Sequence, residues 1–459
     1  MTADFRIFNR PIYIIIPLFL LVKLITAPYY NVVWWDSSVY LGMGKYIYSL
    51  GNAGLWEDSR PIVWPVILGL FWKVGLNPVA AGRIAEIIFG SLCILLTYSI
   101  GEKIFNRKTA LLSSILLALS PTFFYFSGIM LTETVSTFFS LTAIYLFIRK
   151  KYIISGAFFG TAFMMRFLQL FVFAALILLL FISYERKNFT SLKKLLLGFS
   201  FAALPFLVLN QFLYNNAIFP FLQQIYLSKN SGWMNHHAID YYFIGLFKEN
   251  ILYLMFIPGL LLAFKHKTSG RKLIALAFIV TFVFFNLIKQ KEMRFLIILF
   301  PYMYLLVSSA IFAFFDNFKI PKTALYSLIF ISIVLSSHIT YDYHKNEFNK
   351  TDQYAFFQDI LEKTGSNEEI WISSPVIAAF SDKKIGNLMY YPVFNEKKKN
   401  ELLSGNADFI FIDSCDLSCR LSDAECAKNK DEIISNFKKR FKTAHSFKGS
   451  GCEQFVFAK

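Results

Sequence analysis

The sequence predicts a polytopic α-helical membrane protein, with about eleven transmembrane helices and a small C-terminal α/β domain outside the membrane. Three observations predict it. Of 459 residues, 56% are hydrophobic and 53 are Phe, and mean hydropathy is +0.49, more apolar side chain than one soluble core could bury. Apolar runs recur through residues 1–340, with Lys and Arg gathered at alternate ends. Past residue 345 the pattern changes to short strand-like and helix-like segments.

The runs lie at 11–28, 84–101, 109–127, 133–148, 152–165, 168–183, 195–214, 250–264, 273–288, 295–314 and 323–340. Each is about long enough to cross, since ~30 Å of hydrocarbon takes ~20 helical residues. The pair flanking Arg166 reads either as two short helices joined by a tight turn or as one kinked element. The first run has no small-residue cleavage site and reads as an anchor.

Charge sets the orientation. With Arg6, Arg10 and the N-terminus in the cytoplasm, the clusters Lys103/Arg107/Lys108, Arg149/Lys150/Lys151, Arg186/Lys187, Lys265/Lys267/Arg271/Lys272 and Lys319/Lys322 all face the same side. The protein is then a multi-pass component of a cell membrane. The segments left outside are the loop 29–82, the turn near Thr132, the loop 215–248, the string KQKEMRF at 289–295 and the domain from 341 to 459. A net charge of +16 could indicate nucleic acid in a soluble chain. Here the basic residues sit between apolar runs, so anionic lipid is the expected partner and nucleic acid is not.

Within the loop 29–82, the segments 38–50 and 62–74 are apolar or amphipathic but too short to span, and are expected as interfacial helices roofing a cavity. Asp36 follows Trp34 and Trp35 where the first helix leaves the membrane. A carboxylate there suits a general base, although it could equally cap a helix starting at Ser37. Glu133, in LTET, has the same two readings, catalytic acid or helix N-terminal partner. Arg166 lies between two apolar runs, where a guanidinium faces a polar cavity or snorkels to the interface. KQKEMRF is basic on the outer side, against the usual rule. Lys289, Lys291 and Arg294 offer charge-assisted donors for a phosphate, and the competing reading is a solvated turn with Glu292 pairing locally.

The order of these parts carries a resemblance: WWDSSVYLGMGKYI, then SRPIVWP containing Arg60, then LTET, MMRF and KEMRFLIILFPYMYLL. Over about residues 10–315 the chain resembles the GT-C superfamily of membrane glycosyltransferases. Within it the chain is similar to family 39, the protein mannosyltransferases and aminoarabinose transferases. KEMRF also resembles the HKE-x-RF string of the dolichyl-phosphate-mannose-dependent mannosyltransferases, with Gln290 in place of His.

The resemblance implies an inverting transfer of a hexose-type sugar from a polyprenyl-phosphate donor to a protein, lipid or glycan acceptor outside the cytoplasm. Asp36 matches the family's catalytic loop acid; beside it, Glu133 is taken as a candidate catalytic residue, and Arg60 and Glu292 as candidate substrate-loop residues. Many relatives carry another acid beside the first, where this chain has Ser37.

Elementary chemistry agrees. A sugar leaving a lipid phosphate departs as a stable monoester, so one base suffices and no acid need protonate the leaving group; glycoside hydrolysis, by contrast, uses paired carboxylates. The developing charge calls for fixed donors, assigned to Arg294, Lys291, Lys289 and Arg166. A single phosphate requires no metal, although Glu133 with His236 or His237 could form a loose divalent site.

In the C-terminal domain, EEIWISS, NLMYYPV, ADFIFIDS, KTAHSFKG and CEQFVFAK read as strands and 353–363, 396–403 and 428–440 as helices. It lacks a phosphate loop or nucleophile elbow, and covering the site or recognising acceptor is its expected role. Cys415, Cys419, Cys426 and Cys452 suggest two disulfides in an oxidising compartment, with zinc as the competing reading, while Cys93 lies in a membrane helix. A transporter or flippase of a lipid-linked sugar is the rival function, but the internal repeats and paired broken helices expected of one are not visible.

Overall fold

The computed structural model describes residues 11–29, 33–182, 186–230, 237–266, 268–348, 358, 361–362, 364–365, 368–390, 396–405, 407–417, 419, 424–449 and 452–459. Arg6, Arg10, His236 and most of the helix expected at 353–363 lie outside them.

In chain order the helices are α1 (Ile12–Thr26), α2 (Trp35–Tyr48), α3 (Val63–Lys73), α4 (Pro78–Ile104), α5 (Arg107–Leu119), α6 (Pro121–Phe126), α7 (Thr132–Ile148) and α8 (Tyr152–Met165). They continue as α9 (Leu170–Ile182), α10 (Arg186–Tyr214), α11 (Phe219–Asn230), α12 (Tyr241–Glu249), α13 (Phe256–Lys265), α14 (Ser269–Leu287), α15 (Phe300–Asn317) and α16 (Lys322–Phe348). Every expected apolar run falls on helix. Among the described residues, three helices are long and apolar enough to cross a membrane, namely Pro78–Ile104, Phe189–Tyr214 and Ser269–Leu287; other apolar helices are shorter, at 10–17 residues. The shortening has local causes. Ser120 leaves helical geometry, its side chain accepts from the Phe123 amide and Pro121 starts α6, which divides the third run. Arg166 adopts an extended backbone, φ −155° and ψ 118°, so the two runs around it are separate helices joined by a tight turn.

The chain divides into two compact units. The first comprises residues 1–30, 83–213 and 236–349, and the second 31–82, 214–235 and 350–459. This differs from the division expected at 340/341, because the outer loop 31–82 belongs with the C-terminal residues.

In the first unit, α7 packs on α8, α9 on α14, and α5 and α13 on α15. Small residues allow backbones to touch, as in other membrane bundles. A Cβ on Gly156 of α8 would lie 1.9 Å from the Leu195 carbonyl of α10, and one on Gly198 of α10 would lie 1.9 Å from the Ile153 carbonyl.

The second unit is built on a five-stranded sheet of order β2-β1-β3-β5-β4: β1 (Ile370–Ile372), β2 (Ile385–Leu388), β3 (Phe409–Asp413), β4 (Lys442–Gly449) and β5 (Cys452–Ala458). β2, β1 and β3 are parallel, and β3, β5 and β4 antiparallel. The strand expected over NLMYYPV starts two residues earlier and ends at Leu388, because β2 is aligned by its ladder to β1. The near-continuous apolar strands IWI and FIFI require cover on both faces. Trp371, Ile410, Ile412 and Phe457 pack against Ile433 and Phe437 of the helix Ala424–Arg440. The alternate residues Ile370, Ile372, Phe411 and Val456 pack with Val39, Met43 and Leu55. Thus α2 covers the second face, which is why the outer loop joins this unit. The loop also extends the sheet edge, with the Gly54 amide donating to the Lys383 carbonyl and the Ile385 amide to the Gly54 carbonyl, both at 2.9 Å. Lys45, buried on α2, donates to the carbonyls of Ala379 (3.1 Å) and Ser381 (3.0 Å) and pairs with Asp382 at 2.9 Å. Cys419 and Cys426 form a disulfide, Cys415 is also disulfide-bonded, and Cys93 is a buried free thiol.

Candidate functional site

Six of the charged residues singled out by sequence collect into two clusters, Asp36 and Arg60 in the second unit and Glu133, Arg166, Glu292 and Arg294 in the first. In the second unit, α2 begins at Trp35 after the extended Trp34, so Asp36 sits inside the first turn rather than ahead of it. Its Oδ1 is 2.8 Å from Nη1 of Arg60, and Nε of Arg60 donates to Oε2 of Glu57 at 3.0 Å. Glu57 Oε1 accepts from Ser59 Oγ at 3.0 Å and from Tyr390 Oη at 2.6 Å. The guanidinium also lies over the Tyr40 ring, 5.6 Å from its centre, and Trp35 meets Tyr390 edge to face at 5.9 Å. Side-chain exposure is 17% for Asp36, 13% for Arg60 and 5% for Glu57, so one guanidinium serves two carboxylates in a largely dry place.

Burial opposes the charge on Arg60, but Asp36 and Glu57 outweigh it and hold the guanidinium well above its ordinary value. The Tyr390 hydroxyl is pushed well up by burial and by the adjacent Glu57, so it remains a donor at any working pH.

In the first unit, Glu133 occupies the first turn of α7 and is 1% exposed. Its Oε1 is 3.1 Å from Nη2 of Arg166 and 3.5 Å from Nε of Arg294. Arg166 also donates to Thr132 Oγ1 at 2.9 Å. Arg294 makes a two-pronged pair with Glu292, at 2.6 and 3.3 Å. The Phe295 ring lies 5.0 Å from the Arg166 guanidinium and 5.7 Å from that of Arg294. The extended backbone at Arg166 and the 3-10 turn at Met293–Ile298 bring the two cations to the start of α7.

Glu292 therefore pairs locally, as one sequence reading had it, but with a buried arginine rather than in a solvated turn. The remaining members of KQKEMRF are used differently. The Lys291 ammonium donates to the carbonyls of His237 (3.0 Å) and Ile288 (2.5 Å), and burial lowers its pKa. Lys289 is exposed, and its carbonyl accepts from the His237 amide at 3.0 Å. His237 stacks on Tyr241, with ring centres 4.0 Å apart. Among the described residues no group of three His, Cys, Asp or Glu could hold a metal ion.

Sequence reasoning did not find Glu57, Ser59 or Tyr390 in the second unit, nor the fully buried Lys23 and Glu86 in the first. Lys23 and Glu86 were legible as charges within or beside apolar runs, the signal that did identify Arg166.

The fold is similar to that of several solved membrane glycosyltransferases. ArnT from Cupriavidus metallidurans bound to undecaprenyl phosphate superposes with a TM-score of 0.70, at 10% identity over 97% of each chain. The archaeal oligosaccharyltransferase AglB from Archaeoglobus fulgidus, in complex with an inhibitory peptide and a dolichol-phosphate, gives 0.60 at 13% identity, covering 97% of this chain and 74% of that one. The mycobacterial arabinofuranosyltransferase AftD gives 0.54 at 10% identity, covering 96% of this chain and 39% of that one. The family model for dolichyl-phosphate-mannose-protein mannosyltransferase matches residues 59–209. The chain thus resembles the protein mannosyltransferase and aminoarabinose transferase family of the GT-C superfamily. No protein of curated function matches its sequence.

Proposed function

We propose that this protein is a membrane glycosyltransferase that moves a hexose-type sugar from a polyprenyl-phosphate donor to an extracytoplasmic acceptor with inversion. The observation that carries the proposal is the pair of guanidiniums, the partly buried Arg166 and the buried Arg294, held at one carboxylate. Planar cations so arranged suit an oxyanion whose charge grows during bond breaking. The neighbouring proteins with undecaprenyl phosphate and dolichol-phosphate support a lipid phosphate as that oxyanion.

In this reading Asp36, partly exposed and oriented by Arg60, takes the acceptor hydroxyl proton. The acceptor oxygen attacks the anomeric carbon, the carbon–oxygen bond to phosphate breaks, and polyprenyl phosphate leaves. Arg294 and Arg166 stabilise it. Glu133 keeps both arginines in place before donor arrives, and Glu292 is the carboxylate that phosphate displaces from Arg294. Lys291 braces the turn through backbone carbonyls, and Lys289 adds an exposed positive charge.

The test uses purified protein with radiolabelled undecaprenyl-phosphate or dolichyl-phosphate hexose and follows released polyprenyl phosphate and the labelled acceptor. Asp36→Asn should lower turnover by roughly two to four orders of magnitude with donor binding nearly unchanged. Parental turnover in a folded Asp36→Asn protein would remove Asp36 from the chemistry. Donor translocation without sugar transfer would establish the flippase reading instead.

A further inference from the structure

We propose that Glu57 and Tyr390 are positioning residues for Asp36, acting through the Arg60 guanidinium that Asp36 and Glu57 share. The inference rests on the reading of Asp36 as the base.

Arg60 reaches Asp36 with Nη1 at 2.8 Å and Glu57 with Nε at 3.0 Å, so the two carboxylates compete for one cation. Glu57 is the more buried and would be expected to draw the cation to itself. Two hydroxyls relieve that demand, Ser59 at 3.0 Å and Tyr390 at 2.6 Å. Each neutral donor makes the Glu57 charge less dependent on Arg60 and leaves Nη1 directed at Asp36. The hydroxyl comes from residue 390, which the edge contact with Trp35 holds beside the start of α2. Three further charged or titratable groups lie near this network among the described residues. Tyr40 on α2 lies under the guanidinium, Lys45 farther along α2 is engaged by Asp382, and Asp58 in the loop acts on Tyr390. A purely structural role, knitting the loop to the C-terminal residues, would leave the titration of Asp36 unmoved.

The test uses the full chain in lipid nanodiscs with ¹³C-carboxyl aspartate. Isotope-edited infrared titration follows the Asp36 band, identified by its loss in Asp36→Asn. Glu57→Gln gives Arg60 to Asp36 alone and removes a like charge, so the titration midpoint should fall by about one pH unit. Tyr390→Phe withdraws a donor from Glu57, which then takes more of Arg60, and the midpoint should rise by about half a unit. In the double variant the Glu57 carboxylate through which Tyr390 acts on Arg60 is gone, so it should match Glu57→Gln. Midpoints unmoved in both folded single variants would overturn the proposal, as would a double variant in which the two shifts simply add. The acid limb of turnover with labelled undecaprenyl-phosphate hexose should move with the midpoints. Shifted midpoints with a fully active Asp36→Asn protein would keep the coupling and discard Asp36 as base.

Discussion

Glu133→Gln tests the buried charge cluster most directly. Glu133 is 1% exposed and faces Arg166 at 3.1 Å and Arg294 at 3.5 Å, with those side chains 14% and 10% exposed. At an effective dielectric of ~20, each contact is worth about 5 kcal/mol of direct attraction, most of it offset by the desolvation of the three groups. Neutralising the carboxylate leaves that desolvation in place and removes the attraction, so the expected net loss is about 3–5 kcal/mol. Arg294 keeps Glu292 as a partner, which places the loss toward the lower end.

Unfolding of the detergent-solubilised protein, followed by intrinsic fluorescence, should show this as a lowered midpoint. Glu133→Gln/Arg166→Gln removes one charge of each sign and should recover about half of the loss. Undecaprenyl phosphate should raise the midpoint of Glu133→Gln more than that of the parent, because two undercompensated guanidiniums then gain an anion. A silent Glu133→Gln, or a double variant less stable than the single, would refute the coupling. Equal stabilisation of parent and variant by the lipid would refute the phosphate role.

Arg294→Ala should weaken binding of undecaprenyl phosphate by ~100-fold in a fluorescence titration, and Arg294→Lys should restore charge without the two-pronged geometry and recover only part of it. Asp416, outside the spans, has its carboxyl held well above the ordinary range by burial and by Asp413. Its stabilising contribution is therefore complete at acid pH and is lost as pH rises through that elevated value. Asp416→Asn should raise the unfolding midpoint at pH 8 and leave it unchanged at pH 3.5; the opposite ordering would contradict the assignment. Gly156→Ala sets a methyl 1.9 Å from the Leu195 carbonyl, so α8 and α10 must separate. A midpoint loss equivalent to about 1–3 kcal/mol is expected, and an unchanged midpoint would show that the backbones are not in contact.

Much of the architecture was legible because hydropathy and turn chemistry act locally. A helix in lipid satisfies its own amides, so an apolar run announces itself without reference to any partner. The helix after Trp34 and the strands FIFID and CEQFVFA were readable for the same reason, whereas at Arg166 the sequence left two helices or one kinked element open and the extended backbone there decided it. Ser120–Pro121 also carries a local break signal, yet the run around it reads as continuous when hydropathy alone is weighed.

The pairing of side chains was not legible. Glu57 carries no sequence signal of its own, and its role rests on Tyr390, 333 residues later, donating to it. The strand IWI shows that both faces of the sheet need cover, but not that α2 supplies one. Glu133 reads as a helix-start acid, and only the packing of α7 beside the turns at Arg166 and Arg294 turns it into the counter-ion of two arginines. By itself the sequence determined most of the helices and strands and which residues carry charge, since these follow from interactions a few residues apart, although the helices Phe219–Asn230 and Tyr241–Glu249 fall in a stretch that reads as loop. Tertiary structure alone decided which charges meet, because an ion pair or hydrogen bond depends on distances of about 3 Å between groups far apart along the chain.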